Sequence, residues 1–172
     1  MKILLTGNPN VGKSVLFNRL TGMDVISSNY PGTTIDYAKG HLNIQGERAE
    51  LIDVPGIYSL EPSSRAEEIA VKMLKDGNVI ISVIDATNLE RNLYLVVQVL
   101  ELQVPMILAL NMSDRARNLD YEIDDNRLSG RLGGTPVIFI CARSREGLGE
   151  LRDEIVNLAI SKETMSQEKV VT

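Results

Sequence analysis

Cysteine and histidine each occur once in these 172 residues, as Cys141 and His41. A lone cysteine excludes an internal disulfide and suits a reducing compartment, and a lone histidine inside a strand-like stretch reads as a strand residue before it reads as a metal ligand. No apolar run approaches the ~20 residues that a helix needs to cross a bilayer. Met1-Lys2 runs directly into a strand pattern, so no signal peptide is expected. Dense basic clusters are also missing. With 18 Lys and Arg against 23 Asp and Glu and a pI near 5.0, the chain lacks the basic stripe that direct nucleic-acid binding would call for. Repeats and low-complexity segments are absent. What is there, 44% hydrophobic and 24% charged residues, suits one soluble domain.

Hydrophobic periods alternate between two and 3.6 along the chain, which predicts an α/β layer fold with a mainly parallel sheet. Six strands are expected: Lys2–Thr6, Ala38–Ile44, Arg48–Val54, Asn78–Asp85, Met106–Asn111 and Val137–Cys141. The second and third flank the turn Gln45-Gly46 as a hairpin, so one strand of the six is antiparallel. About five helices fill the intervals: Lys13–Thr21, Ser64–Lys75, Leu89–Leu102, Asp124–Leu132 and Leu148–Ile160. Residues 1–160 make the domain. Residues 161–172 lose the apolar period and are expected to be a tail or the start of a linker. Ligands on such sheets lie beyond the carboxyl ends of the strands, which directs attention to the segments that follow them.

Behind the first apolar run stands Gly7-Asn8-Pro9-Asn10-Val11-Gly12-Lys13-Ser14, a complete G-x-x-x-x-G-K-[ST] between a strand and a helix. Glycine freedom and inward N–H groups make a phosphate cradle of Asn8, Pro9, Asn10, Val11, Gly12, Lys13, Ser14 and Val15. Lys13 then reaches the β and γ phosphates, and the Ser14 hydroxyl is left for Mg²⁺. A nucleoside triphosphate is implied. After the third strand, Asp53-Val54-Pro55-Gly56 offers a carboxylate to hold Mg²⁺ through its water shell and the Gly56 N–H for a γ-phosphate. Between the first helix and the second strand, Ser27 to Thr34 is polar and contains Pro31-Gly32, as a nucleotide-sensing loop would. Thr34, in preference to Thr33, would complete the Mg²⁺ shell and meet the γ-phosphate with its N–H.

The base is addressed after the fifth and sixth strands. In Asn111-Met112-Ser113-Asp114 the carboxylate of Asp114 is an acceptor without a donor. Guanine presents two adjacent N–H donors to it, whereas adenine would leave it desolvated and unpaired. Cys141-Ala142-Arg143 supplies a backbone N–H, that of Ala142, for the guanine carbonyl. The stems of Met112 and Arg143 suit the faces of the base. Glu67 and Glu68, adjacent near a helix start, read as a solvated, dipole-favoured face and not as an iron site.

These signatures, in order, resemble those of translation-factor-like small GTPases. Within that class, residues 1–160 resemble the cytosolic G domain of the ferrous-iron transport protein B family. The likeness lies in Gly7 to Ser14, Leu16-Phe17-Asn18, Leu20-Thr21-Gly22, Asn29-Tyr30-Pro31-Gly32, Asp53-Val54-Pro55-Gly56-Ile57-Tyr58-Ser59-Leu60 and the methionine of Asn111-Met112-Ser113-Asp114. The resemblance implies a P-loop small-GTPase fold and a Mg²⁺-dependent GTP hydrolase, binding GTP and GDP, that acts as a switch for a membrane permease of the same polypeptide. Such a domain would lie on the cytoplasmic side of the membrane while being soluble by itself. Lys13, Thr34 and Gly56 would carry catalysis. Where many relatives place a water-orienting glutamine, Ile57 stands here. Related GTPases with asparagine at the position of Asn10 use it to hold K⁺, which adds Asn10 to Ser14, Thr34 and Asp53 as a metal-binding expectation. Thr33, often valine in the family, also gives Pro31 to Thr34 a likeness to GTPases of tRNA modification and ribosome assembly, the alternative function.

Overall fold

In the computed structural model, which describes residues 1–22 and 25–168, the buried middle strands carry apolar side chains on both faces. Val79–Asp85 and Met106–Asn111 are buried along nearly their whole length, as parallel strands covered on two sides require. Around them, β1 (Lys2–Thr6), β2 (Ile26–Asn29), β3 (Asp36–Ile44), β4 (Glu47–Asp53), β5 (Val79–Asp85), β6 (Met106–Asn111) and β7 (Val137–Phe139) form one sheet in the order β2-β3-β4-β1-β5-β6-β7. Helices α1 (Lys13–Thr21), α2 (Arg65–Lys75), α3 (Leu89–Leu100), α4 (Ser113–Asn118), α5 (Asp125–Arg131) and α6 (Leu148–Glu168) connect them, with a 3-10 turn at Ala86–Asn88 before α3.

Alternation along β1 divides the core. Ile3 and Leu5 pack with Leu16, Phe17 and Leu20 of α1 and with Leu151 and Ile155 of α6, while Leu4 faces Ile69 and Leu74 of α2 and Val96 of α3. On the second side, α2 is fixed at its start by Ser64, whose hydroxyl accepts from Glu67 N–H at 3.2 Å, while the Glu67 carboxylate accepts from Ser63 N at 2.7 Å. Glu67 therefore closes a helix cap, and Glu68 pairs with Arg65 at 2.7 Å.

The expected hairpin is present, turning through Gln45 and Gly46 at positive φ, and β3 alone runs against the rest of the sheet. The strand count needs correction from six to seven among the described residues. Ile26–Asn29, which takes in the start of the expected Ser27–Thr34 loop, pairs antiparallel with Asp36–Lys39 at the sheet edge. Its side chains are mostly exposed, so no apolar alternation announced it. The helix count rises to six among the described residues because the six-residue α4 is too short to show a period. Helix α6 continues beyond Ile160 to Glu168, and residues 169–172 of the expected tail lie outside the described residues. Strand order reverses at β1, between β4 and β5, so the carboxyl ends of these three strands border one crevice.

Candidate functional site

The chain leaves β1 at Gly7 and enters α1 through Gly12, whose φ of +86° suits glycine. A Cβ at Gly12 would collide with the Asn111 side-chain nitrogen, and one at Gly7 would collide with the Val83 carbonyl oxygen. The loop is thus pressed against β5 and β6 by contacts only glycine permits. No side chain caps the start of α1, so its first N–H groups face the crevice. Asn10, exposed and at φ +68°, forms the outer turn of the loop beside exposed Pro9. Asn8 and Val11 are buried, and Val15 is 42% exposed on the first turn of α1.

Lys13 donates to Asp53 Oδ1 at 2.5 Å and to the Val54 carbonyl at 2.8 Å, while Ser14 Oγ donates to Asp53 Oδ2 at 3.2 Å. One carboxylate at the end of β4 thereby gathers the two functional side chains of the phosphate loop. Gly56 lies against Pro9, where a Cβ would come within 3.3 Å of the ring. Ile57 is fully buried and donates its N–H to Gly7 O at 3.4 Å, so its side chain belongs to the core.

The two threonines differ. Thr33 Oγ1 donates to Tyr30 O at 2.9 Å and accepts from Ile35 N–H at 3.2 Å, which commits it to its own turn. Thr34 is exposed and its side chain makes no hydrogen bond among the described residues. Among the described residues its loop carries no hydrogen bond to Ser14 or Asp53, so Thr34 is not joined to that cluster, and neither is the Asn10 side chain.

On the opposite side of the loop, Asn111 at the end of β6 donates from Nδ2 to Val11 O at 2.8 Å and accepts at Oδ1 from Ala142 N–H at 3.0 Å. This one buried side chain joins the phosphate loop to the segment after β7. Met112 follows at φ +61° and leads into α4, which turns half-buried Asp114 toward solvent at its first turn. The Asp114 carboxylate has no hydrogen-bond partner among the described residues. Cys141 and Ala142 are buried and Arg143 is exposed.

Sequence reasoning missed what holds this second half in place. Arg19 of α1 donates from Nε to Ala142 O at 3.3 Å and from Nη2 to Arg143 O at 3.2 Å. Arg117 of α4 grips Glu146 with a fork of 2.6 and 2.8 Å, and Cys141 N–H donates to Glu146 O at 3.0 Å. The Arg117 guanidinium, by hydrogen bond and then by charge, holds the Glu146 carboxyl below the usual carboxylate range, while the charge of Asp114 opposes it slightly. Unassigned arginines and glutamates are abundant in any chain, so no local signal distinguishes these.

Taken together, a phosphate-sized loop at a helix start, a lysine, a carboxylate and hydroxyl, and an unpartnered acceptor beyond β6 lie along one edge of the sheet. The family described as ferrous iron transport protein B matches residues 1–155. The Fe(2+) transporter FeoB of Escherichia coli K12 is 41% identical over 158 residues, covering 88% of this chain and 20% of its own length. The chain thus spans about a fifth of that curated relative. Among solved structures, the G domain of the T. maritima FeoB iron transporter superposes with a TM-score of 0.85 at 41% identity, covering 92% of this chain and 98% of that one. An S. thermophilus NFeoB E67A mutant bound to GDP gives a TM-score of 0.82 at 38% identity, covering 92% and 61%.

Proposed function

We propose, from the premise that this chain belongs to the ferrous iron transport protein B family, that it is a guanine-nucleotide switch domain that hydrolyses GTP to GDP and phosphate. The observation that carries the reading is Asn111, which ties Val11 to Ala142 and so makes the phosphate and base signatures one continuous site. Asp114 would accept from the two adjacent N–H groups of guanine, and adenine would leave that carboxylate unpaired. Ala142 N–H, now given to Asn111, would share itself with the guanine carbonyl. Met112 and Arg143 would cover the base.

At the phosphates, Asn8 to Val15 form the cradle, and Lys13 would exchange Asp53 for the β and γ oxygens. Ser14, Thr34 and, through water, Asp53 are oxygen donors suited to Mg²⁺, which when bound would offset phosphate charge. Asn10 would hold K⁺ in the same service. Buried Ile57 has no group to orient water, so backbone groups of Thr34 and Gly56 take that role, and unaided turnover is slow, on the order of 10⁻⁴–10⁻² s⁻¹. In the longer protein the domain would sit on the cytoplasmic side of the membrane and govern a ferrous iron permease on the same polypeptide. The acidic balance speaks against the alternative, a GTPase of tRNA modification or ribosome assembly touching RNA directly.

The test is phosphate release from GTP and from ATP, with Mg²⁺ and with chelator. Release from GTP alone, abolished by chelator, is expected. Equal release from ATP would overturn the guanine assignment.

A further inference from the structure

A second cavity, about 210 Å³, opens on the far side of the phosphate loop from the base. Asn8, Tyr58, Asp85, Asn88, Arg91 and Asn92 line it. Asn8 and Asn92 are 5% and 3% exposed, and the side-chain carbonyl oxygen of each has no hydrogen-bond partner among the described residues. Asn92 is oriented by its Nδ2, which donates to Asn88 O at 2.6 Å. Asp85 accepts from Thr87 N and Oγ1 at 2.8 and 2.7 Å, both on Oδ1, which leaves Oδ2 uncommitted. The lining residues therefore bring together three acceptor oxygens without a donor among the described residues, two amide oxygens buried in the cavity wall and one carrying charge, and buried acceptors without donors are costly.

At its rim, exposed Arg91 lies 5.6 Å above the centroid of the Tyr58 ring, itself 48% exposed. A cation over an exposed ring is weakly held. Its guanidinium has five donors in a planar fork, a better match for two amide oxygens and a carboxylate. Among the described residues no group of three His, Cys, Asp or Glu could hold a metal here. Tyr58 stands two residues after Gly56, and Leu60 N–H donates to Gln98 Oε1 of α3 at 2.8 Å, so the segment after Gly56 rests on α3 by these two attachments.

We propose that Arg91 is a positioning residue with two resting places, the Tyr58 ring and the acceptors beneath the phosphate loop. Resting on the switch reading above, it links them: when Gly56 turns to a γ-phosphate and Tyr58 withdraws, Arg91 moves inward to Asp85, Asn92 and Asn8. Asn8 belongs to the phosphate loop, so the position of the segment after Gly56 is passed to the phosphates through this side chain.

The experiment is NMR of the whole chain with GDP and with a non-hydrolysable GTP analogue, following Arg91 Nε–H and the side-chain amides of Asn8 and Asn92. The analogue should shift Arg91 Nε–H, slow its exchange with water and shift both amides. Arg91→Ala should abolish the amide shifts and lower the preference for analogue over GDP about fivefold, with circular dichroism unchanged. Arg91→Lys, which keeps the charge without the fork, should not restore them. An Arg91 signal identical in both states, or amide shifts that persist in Arg91→Ala, would overturn the proposal in favour of water filling the cavity. Absence of any guanine-nucleotide binding by the unaltered chain would overturn the switch reading itself, and this proposal with it.

Discussion

The two ends of the crevice are prepared in opposite ways. At the phosphate end, Lys13, Ser14 and Asp53 are bonded to one another, so their charges are already answered within the protein. At the base end, the Asp114 carboxylate accepts no hydrogen bond among the described residues and stands on a frame tied together by Asn111, Arg19 and the Arg117–Glu146 fork. On the proposed reading, phosphate binding would exchange one set of protein partners for another, whereas at the base Asp114 would gain donors and only Ala142 N–H, shared with Asn111, would be contested. The phosphate end can respond to what it holds, and the base end can only accept or refuse.

The most forceful way to break this contrast is Lys13→Ala. It removes two charge-assisted hydrogen bonds, each worth about 1.5–3 kcal/mol, and should weaken GTP about a hundredfold or more by calorimetry while circular dichroism shows the fold intact. Asp114→Asn should weaken GTP by about ten- to a hundredfold and favour a nucleotide whose base bears a carbonyl in place of the guanine amine, because the new amide donates. Undiminished GTP affinity would remove Asp114 from the base site. Asn111→Ala strips buried partners from Val11 O and Ala142 N–H. It should lower stability by about 1–3 kcal/mol in thermal melts and couple both ends by weakening GDP as well.

A smaller effect is expected of Asn10→Ala. Turnover in matched KCl and NaCl should differ for the unaltered chain and agree for the variant, and a K⁺ response that survives the substitution would exclude Asn10 as its ligand. The smallest concerns Glu146, whose folded pKa lies below its ordinary value of 4.5. A depressed carboxylate stabilises above its unfolded pKa and loses that contribution as pH falls through the folded one. The melting difference between the unaltered chain and Glu146→Gln should thus be modest near neutrality, since the pair is exposed, begin to shrink as the pH falls below 4.5, and be gone once the pH is below the depressed folded pKa.

The central strands were legible because burial on both faces leaves a continuous apolar run, and the phosphate loop because its glycines and lysine have fixed spacing. Edge strand Ile26–Asn29 was not, since its Ser27 and Ser28 need pair only through backbone. At the site, Thr34 and Asp114 are proposed from what their chemistry can do. The second task of Asn111 could not: its partners Val11 and Ala142 lie far away in the chain and meet it only through backbone groups, which every residue has. Arg19 and Arg91 escaped for a related reason, because an arginine on a helix face looks solvated until the opposing carbonyls or ring are in place.

Strand β1 also sets the order of events when the chain is made. It carries the phosphate loop and lies between two parallel neighbours, pairing with Glu50–Asp53 on one edge and Val79–Ser82 on the other. Both neighbours come later in the polypeptide. During synthesis, the strand of Ile3, Leu4 and Leu5 must wait with one backbone edge unpaired until Val79 and its successors leave the ribosome, and parallel pairing across such separations is slow. The strand that leads into the Gly7–Ser14 loop is thus made before both of its neighbours, and its second edge is closed only once β5 has paired with it.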